Sequence, residues 1–228
     1  MALTTHWEWR AFGSVSPRFI QRFDALRSVE IDDTPQRIVD EYLWIPGSQA
    51  NIKFRSGAGS QDGLKFKRFL GRVGELEQWR ESPEEVFLFP LSAKGWKLLV
   101  KEVGQNGDHF DAAPSFKRWG VWAFWKKSSA GEILSSLTKI DPRIRTIRVV
   151  KARRTRFWGE GNQVKVELAR IDSPRNTTSV GLEIWNLGRT ISDDRSQQLL
   201  RRAIDDLELA NESLEVMNYL DFMKCCVD

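Results

Sequence analysis

Five short segments of this 228-residue chain carry charge on every second position. His6, Glu8 and Arg10 alternate in HWEWR, Lys53 and Arg55 in NIKFRS, and Lys65 and Lys67 in LKFKRF. Glu75 and Glu77 alternate in ELEQW, and Lys151 and Arg153 in VVKARR. Residues two apart lie on one face of a strand, so each segment presents one charged face. The residues between are mostly Trp, Phe, Ile, Leu or Val. One such segment is an ordinary half-buried strand with a solvated side. Several, with acidic and basic rows on different strands, predict a charged interior inside a sheet closed on itself. Closure removes the sheet edges and lets charged rows face a wet lumen. The expected content is a polyanion with a metal ion.

Composition allows this reading. The length suits one large all-β or α+β domain or two small ones, and 41% hydrophobic residues supply a core. Lys and Arg total 35 against 31 Asp and Glu, a net charge of +4. So mild a balance fits a local anionic ligand better than a long nucleic-acid footprint. The ten Trp suit barrel walls, lids or partner surfaces. Cys225 and Cys226 are adjacent and close no useful loop, which points to a reducing, cytoplasmic setting. The start, MALTTHWEWR, has no basic stretch followed by an apolar run, so no signal peptide is expected. No apolar stretch reaches membrane-span length. There is no P-loop motif, and Gly57-Ala58-Gly59 lacks the strand–helix context of a dinucleotide site. Two adjacent Cys and two distant His make a structural zinc site improbable.

Along the chain, Thr5 to Phe12 reads as a strand, and Ser16-Pro17 opens a helix with Phe19, Ile20, Phe23 and Leu26 at helical spacing. Arg37 to Ile45 is a strand stopped by Pro46-Gly47. Asn51 to Arg55 and Leu64 to Phe69 form a hairpin around GAGSQDG. Glu75 to Glu81 is a further strand. From about 83 to 145 the pattern changes to a Trp-rich, helical insertion, with Trp96, Leu98, Leu99 and Val103, the Trp119–Trp125 cluster, and a short helix from Glu132 to Leu137. The Trp cluster, flanked by bases, is read as packing on the barrel wall, with a single-strand nucleic-acid platform as the less favoured reading. Ile147 to Trp158, Gln163 to Ile171 and Ser179 to Asn186 return to strand character. A C-terminal helix spans about 192–210, and Val216 to Phe222 is a tail element. No repeat or linker divides the chain, so a single domain over 1–228 is expected.

This order of elements resembles the CYTH superfamily, the triphosphate tunnel enzymes. That family includes class IV adenylate cyclases, thiamine triphosphatases, inorganic triphosphatases and, more distantly, RNA triphosphatases. The resemblance runs from His6 to about Leu207 and implies an α+β fold: a closed antiparallel eight-stranded β-barrel with helices outside. His6-x-Glu8-x-Arg10 stands at the family's E-x-E-x-K, and Asp40-Glu41-Tyr42-Leu43 at its D-x-Y-Y strand. Asn51-Ile52-Lys53-Phe54-Arg55 looks like L-R-I-R, and Leu64-Lys65-Phe66-Lys67 like L-T-L-K. Glu75-Leu76-Glu77 sits at the paired acids, and Lys151 and Arg153 match K-x-R. Glu183-Ile184-Trp185 keeps the first acid of a late E-x-E, and Glu167 lies one strand earlier. His6 and Trp185 thus stand where the family has metal-binding carboxylates.

The chemistry of such a site follows from charge. Arg10, Lys53, Arg55, Lys65, Lys67, Lys151 and Arg153 are the candidate phosphate ligands; Arg grips two oxygens and Lys acts as a point charge. Carboxylates repel phosphate, so they imply a hard cation between: Mg²⁺ or Mn²⁺ on Glu8, Glu75, Glu77, Glu167 and Glu183. Glu8, Glu77 and His6 are the candidate catalytic residues, with His6 as a ligand or base. The expected function is metal-dependent hydrolysis of a triphosphate: a nucleoside triphosphate, thiamine triphosphate or inorganic tripolyphosphate. The alternatives are a class IV-like nucleotide cyclase, and a non-catalytic binder of a nucleotide, polyphosphate or RNA 5′ end.

Overall fold

The computed structural model describes residues 4–28, 34–45, 47–56, 63–81, 87–88, 99, 130–140, 142–185 and 191–227. The strands are β1 (Thr4–Ser14), β2 (Arg27–Ser28), β3 (Gln36–Trp44), β4 (Ala50–Ser56), β5 (Gly63–Val73), β6 (Leu76–Glu81), β7 (Phe87–Leu88), β8 (Arg145–Trp158), β9 (Val164–Ser173), β10 (Thr177–Ile184) and β11 (Ser213–Val216). The helices are α1 (Pro17–Ala25), α2 (Ala130–Ile140), α3 (Asp193–Asp206) and α4 (Tyr219–Val227). Eight strands close into an antiparallel barrel in the spatial order β1–β6–β5–β4–β3–β8–β9–β10, with β10 pairing back onto β1. The short strands β2, β7 and β11 add to β8, β5 and β1.

Closure follows from the alternation. On β1, Trp7, Trp9 and Ala11 face outward and join Val164, Val166, Val180 and Leu182 beneath Phe19 and Phe23 of α1 and Leu199, Leu200 and Ala203 of α3. On the opposite wall, Leu43, Ile52, Phe54 and Leu64 pack under Ile133, Leu134 and Leu137 of α2. The odd residues of β4 and the even residues of β1 are then turned into the lumen. Helices α1 and α3 are started by local chemistry. Ser16 Oγ accepts from Phe19 N at 3.2 Å, with Pro17 at the first position of α1. Ser192 caps α3, whose first turn carries Asp193 and Asp194. Trp7 Nε1 donates to Asp193 Oδ1 at 2.9 Å and so ties that turn to the barrel wall.

The C-terminal segment shapes the lumen. β6 pairs with β1 from Thr4 to Glu8, and β11 takes over from Ala11 to Ser14. Gly13 permits that crossing, since a Cβ there would lie 2.1 Å from Ser213 O. α4 then fills one end of the barrel. Tyr219, Phe222 and Met223 pack inside against Phe12, Tyr42, Ile147, Val149 and Ile171, and the Phe12 and Phe222 rings stack at 4.3 Å. Several aromatic rings buried in one cluster give this end a large apolar burial. Within the range 83–145 the described residues include β7, which is a strand, Leu99 and the helix α2; Trp96, Leu98, Val103 and the Trp119–Trp125 cluster lie outside the described residues.

Candidate functional site

The inward rows converge on a cavity of about 270 Å³. Among the described residues, eight basic and four acidic side chains line it. Every phosphate-ligand candidate is there: Arg10, Lys53, Arg55, Lys65, Lys67, Lys151 and Arg153. So are Glu8, Glu77, Glu167 and Glu183. Acids and bases are interleaved as pairs instead of being segregated by strand. The reason is that β1 and β9 each carry both signs on one face, Glu8 with Arg10 and Lys165 with Glu167.

Asp40, on β3, anchors the deep basic group. It is fully buried. Arg55 donates from Nε to Oδ1 at 2.7 Å and from Nη2 to Oδ2 at 3.0 Å. Lys53 Nζ donates to Oδ2 at 3.2 Å and to the Tyr42 hydroxyl at 3.1 Å, and Lys151 Nζ lies 3.9 Å from Oδ2. Burial alone would raise the Asp40 carboxyl, but Lys53, the Arg55 hydrogen bond and Lys151 together hold it well below the usual carboxylate range. One carboxylate charge is therefore shared among three bases. Lys53 is left under-compensated: burial, with Arg55, Lys151 and Lys65 nearby, pushes its ammonium well below the ordinary lysine value despite Asp40.

Glu167 organises a second group. It meets Arg10 Nη1 at 3.1 Å, Lys151 Nζ at 3.4 Å and Arg153 Nη1 at 3.6 Å. Burial opposes its ionisation, and those three bases outweigh it, so its carboxyl too is well below the usual range. Tyr219 of α4 reaches into this group. Its hydroxyl accepts from Lys151 Nζ at 3.0 Å, and its ring lies 4.8 Å from the Arg10 guanidinium and 4.9 Å from Lys151 Nζ. Gly181, opposite Arg10 on β10, leaves the room that guanidinium occupies.

The remaining acids are also matched by donors. Glu183 meets Lys165 Nζ at 2.5 Å, Lys67 Nζ at 3.6 Å and His6 Nε2 at 3.7 Å. Glu77 accepts from Trp79 Nε1 at 3.2 Å, from Asn218 Nδ2 at 2.9 Å and from Arg72. Glu8 has looser contacts, 3.7 Å to Lys67 and 4.0 Å to His6. His6 stands beside this group, in contact with Lys67 at 3.1 Å.

Glu75 departs from the expected placement. The two-residue spacing puts it on the face of Glu77, but the strand begins only at Leu76. Gly74, at φ 60°, turns the chain, and Glu75 is an exposed turn residue accepting from Trp9 Nε1 at 3.2 Å, away from the cavity. Sequence reasoning also missed site residues. Lys165 carries the same alternating signal with Glu167. Asn51 lies in the Lys53–Arg55 row, and Trp185 lines the cavity beneath Lys165, whose Nζ is 4.7 Å from its ring. Asn218 and Tyr219 come from a tail with no periodic signal.

The donors of the site do not fit a resident Mg²⁺ or Mn²⁺ as they are arranged. Among the described residues, no group of three or more His, Cys, Asp or Glu side chains is placed to hold a metal ion. Each cavity carboxylate faces a lysine or arginine instead.

No family model matches the chain, and no curated protein matches it in sequence. In structure it is similar to the PH1819 protein from Pyrococcus horikoshii OT3, with a TM-score of 0.49 and 10% identity over 95% of this chain and 97% of that one. It is also similar to HpAC1 from Hippeastrum, described as a proposed adenylyl cyclase with a dominant triphosphatase activity. There the TM-score is 0.48 and the identity 13%, over 89% of this chain and 88% of that one. Scores below 0.5 at such identities carry no argument about activity, so the reading of the site rests on its own residues.

Proposed function

We propose that the barrel binds a triphosphate-bearing small molecule, or inorganic polyphosphate, in its lumen and hydrolyses a phosphoanhydride bond there. The observation that carries this is the excess of bases over acids around the cavity, eight against four among the described residues. Lys53 and Lys65 are direct cross-strand partners with both side chains on the cavity, and Arg55 follows two residues on. Like charges directly opposite destabilise a sheet, and an anion with closely spaced oxygens relieves them. Arg153 adds to this. Its buried Nε has no hydrogen-bond partner among the described residues, and a phosphate oxygen is the acceptor such a donor wants.

In this reading the chain's own residues supply charge and position. Arg10, Arg55 and Arg153 hold oxygens through paired N–H groups, and Lys53, Lys65 and Lys151 act as point charges on the transferring phosphoryl group. Glu8, with longer contacts than the other cavity acids, is the group assigned to take a proton from an attacking water. The engagement of the acids by protein bases favours one second reading, a binder without chemistry.

The test is calorimetric titration with tripolyphosphate, followed by product analysis with ATP, GTP, thiamine triphosphate and tripolyphosphate. Each is run with Mg²⁺, with Mn²⁺ and with chelator. Phosphate release abolished by Glu8→Gln supports the hydrolase. Pyrophosphate with a cyclic nucleotide identifies a cyclase, and binding without turnover identifies the binder. If no phosphate compound binds, the proposal fails.

A further inference from the structure

Lys67 places its ammonium among groups that otherwise read as cation ligands. From β5 it reaches past β6 to the β1–β10 seam. There Nζ lies 3.1 Å from His6 Nε2, 3.6 Å from Glu183 Oε1 and 3.7 Å from Glu8 Oε2. Glu8 and Glu183 are direct cross-strand partners, both on the cavity. Two carboxylates so opposed repel unless a cation lies near both; Lys165 Nζ meets Glu183 at 2.5 Å, and Lys67 Nζ lies within 4 Å of both acids. A lysine ammonium has three N–H donors and no acceptor, and His6, Glu8 and Glu183 are among the groups that face it here. One is at hydrogen-bond length and two are at ion-pair separation.

We propose that the Lys67 ammonium is the resident cation of the His6–Glu8–Glu183 group, filling the place of a divalent metal, so that the lumen takes up its polyphosphate chain metal-free. This rests on the phosphate reading of the lumen for its second half only. A divalent ion binds carboxylate oxygens at about 2.0–2.2 Å, and sharing these three groups would bring it against the ammonium. Metal entry thus requires Lys67 to leave. A tethered ammonium differs in kind from the metal, since it neutralises and donates hydrogen bonds but is no Lewis acid.

The test begins with Mn²⁺ alone. Chelator-stripped protein is titrated with Mn²⁺ by calorimetry and electron paramagnetic resonance, without any phosphate compound. The wild type is expected to take up none at this group. Lys67→Ala is expected to gain a single Mn²⁺ site, lost again in Lys67→Ala/Glu8→Gln, with circular dichroism verifying that each variant is folded. A stoichiometric wild-type site that Glu8→Gln abolishes overturns the proposal without reference to the Lys67 variant. Tripolyphosphate is then titrated in chelator and in excess Mn²⁺. Binding in chelator, weakened by excess Mn²⁺, supports metal-free uptake, and binding that requires Mn²⁺ overturns it. Binding in neither condition sinks the phosphate reading, while the Mn²⁺ titrations still judge Lys67.

Discussion

Replacing Asp40 by Asn should destabilise the protein and make its stability depend on an anion. The carboxylate is fully buried and takes two hydrogen bonds from Arg55 and one from Lys53, with Lys151 at 3.9 Å. Asn keeps the shape and one acceptor oxygen. Its amide group, however, aims donors at side chains that only donate. A charge-assisted hydrogen bond contributes about 1.5–3 kcal/mol, but three to one carboxylate are not additive. Removing one partner of a buried ion pair costs about 3–5 kcal/mol. For a chain of this size each kcal/mol moves Tm by about 2–4 °C, so a loss of about 6–20 °C is expected. Thermal unfolding followed by circular dichroism measures it. Tripolyphosphate should then raise the variant's Tm more than the wild type's, because the ligand replaces the missing charge. The acid limb should change as well. Asp40, Glu167 and Glu183 are all held below the ordinary carboxylate range. Their stabilisation is complete above the unfolded-state pKa of about 4 and is lost as pH falls from there through the lower folded values. Asp40→Asn should flatten that loss. A variant within about 2 °C of wild type would refute the reasoning, since Asp40 would then contribute no more than an exposed pair.

Three further outcomes are expected. In Gly181→Ala the new Cβ would meet the Arg10 guanidinium at 2.6 Å; Arg10 must move, so calorimetry should show weaker tripolyphosphate binding with the circular dichroism spectrum unchanged. Arg153→Ala should weaken the same binding by about 1.5–3 kcal/mol, roughly 10- to 150-fold, and more salt should weaken it in the wild type as well. Because burial holds the Lys53 ammonium below the ordinary lysine value, the anion binds the protonated form and raises its pKa. Affinity should be full below the free Lys53 pKa and fall as pH rises through it, and Lys53→Arg should remove that step because Arg does not titrate there.

The barrel was legible because its two faces obey one period. Outward Trp7, Ile52, Leu64 and Val166 are apolar and inward Glu8, Lys53, Lys65 and Glu167 are charged, so alternation alone assigns the faces. Glu75 shows where that signal stops: period two holds only inside a strand, and Gly74 ends one before Glu75 is reached. Asp40 was visible in its motif, but its place beneath three bases was not, because pairing across β3, β4 and β8 is a matter of register.

The tail was the least legible part, and it changes the lumen most. Met217 N donates to Arg10 O at 3.1 Å, which continues the β11 edge onto the charged stretch of β1. Asn218 then spends its amide on Glu77 and its carbonyl on Asp221 N, at 2.9 Å each, so one residue both caps α4 and neutralises the demand of a cavity acid. Tyr219 follows with its ring against Arg10 and Lys151. A segment of three residues thus trims the site from its filled end, which no hydrophobic pattern announces, because a residue that plugs a charged lumen must be neither fully apolar nor charged. Tyr219 meets that requirement with an apolar ring among Phe12, Tyr42 and Phe222 and a hydroxyl that accepts from Lys151. Bases that touch this ring give up hydration on that side. Their remaining donors point along the cavity, and an anion entering it meets cations already partly desolvated and held in place.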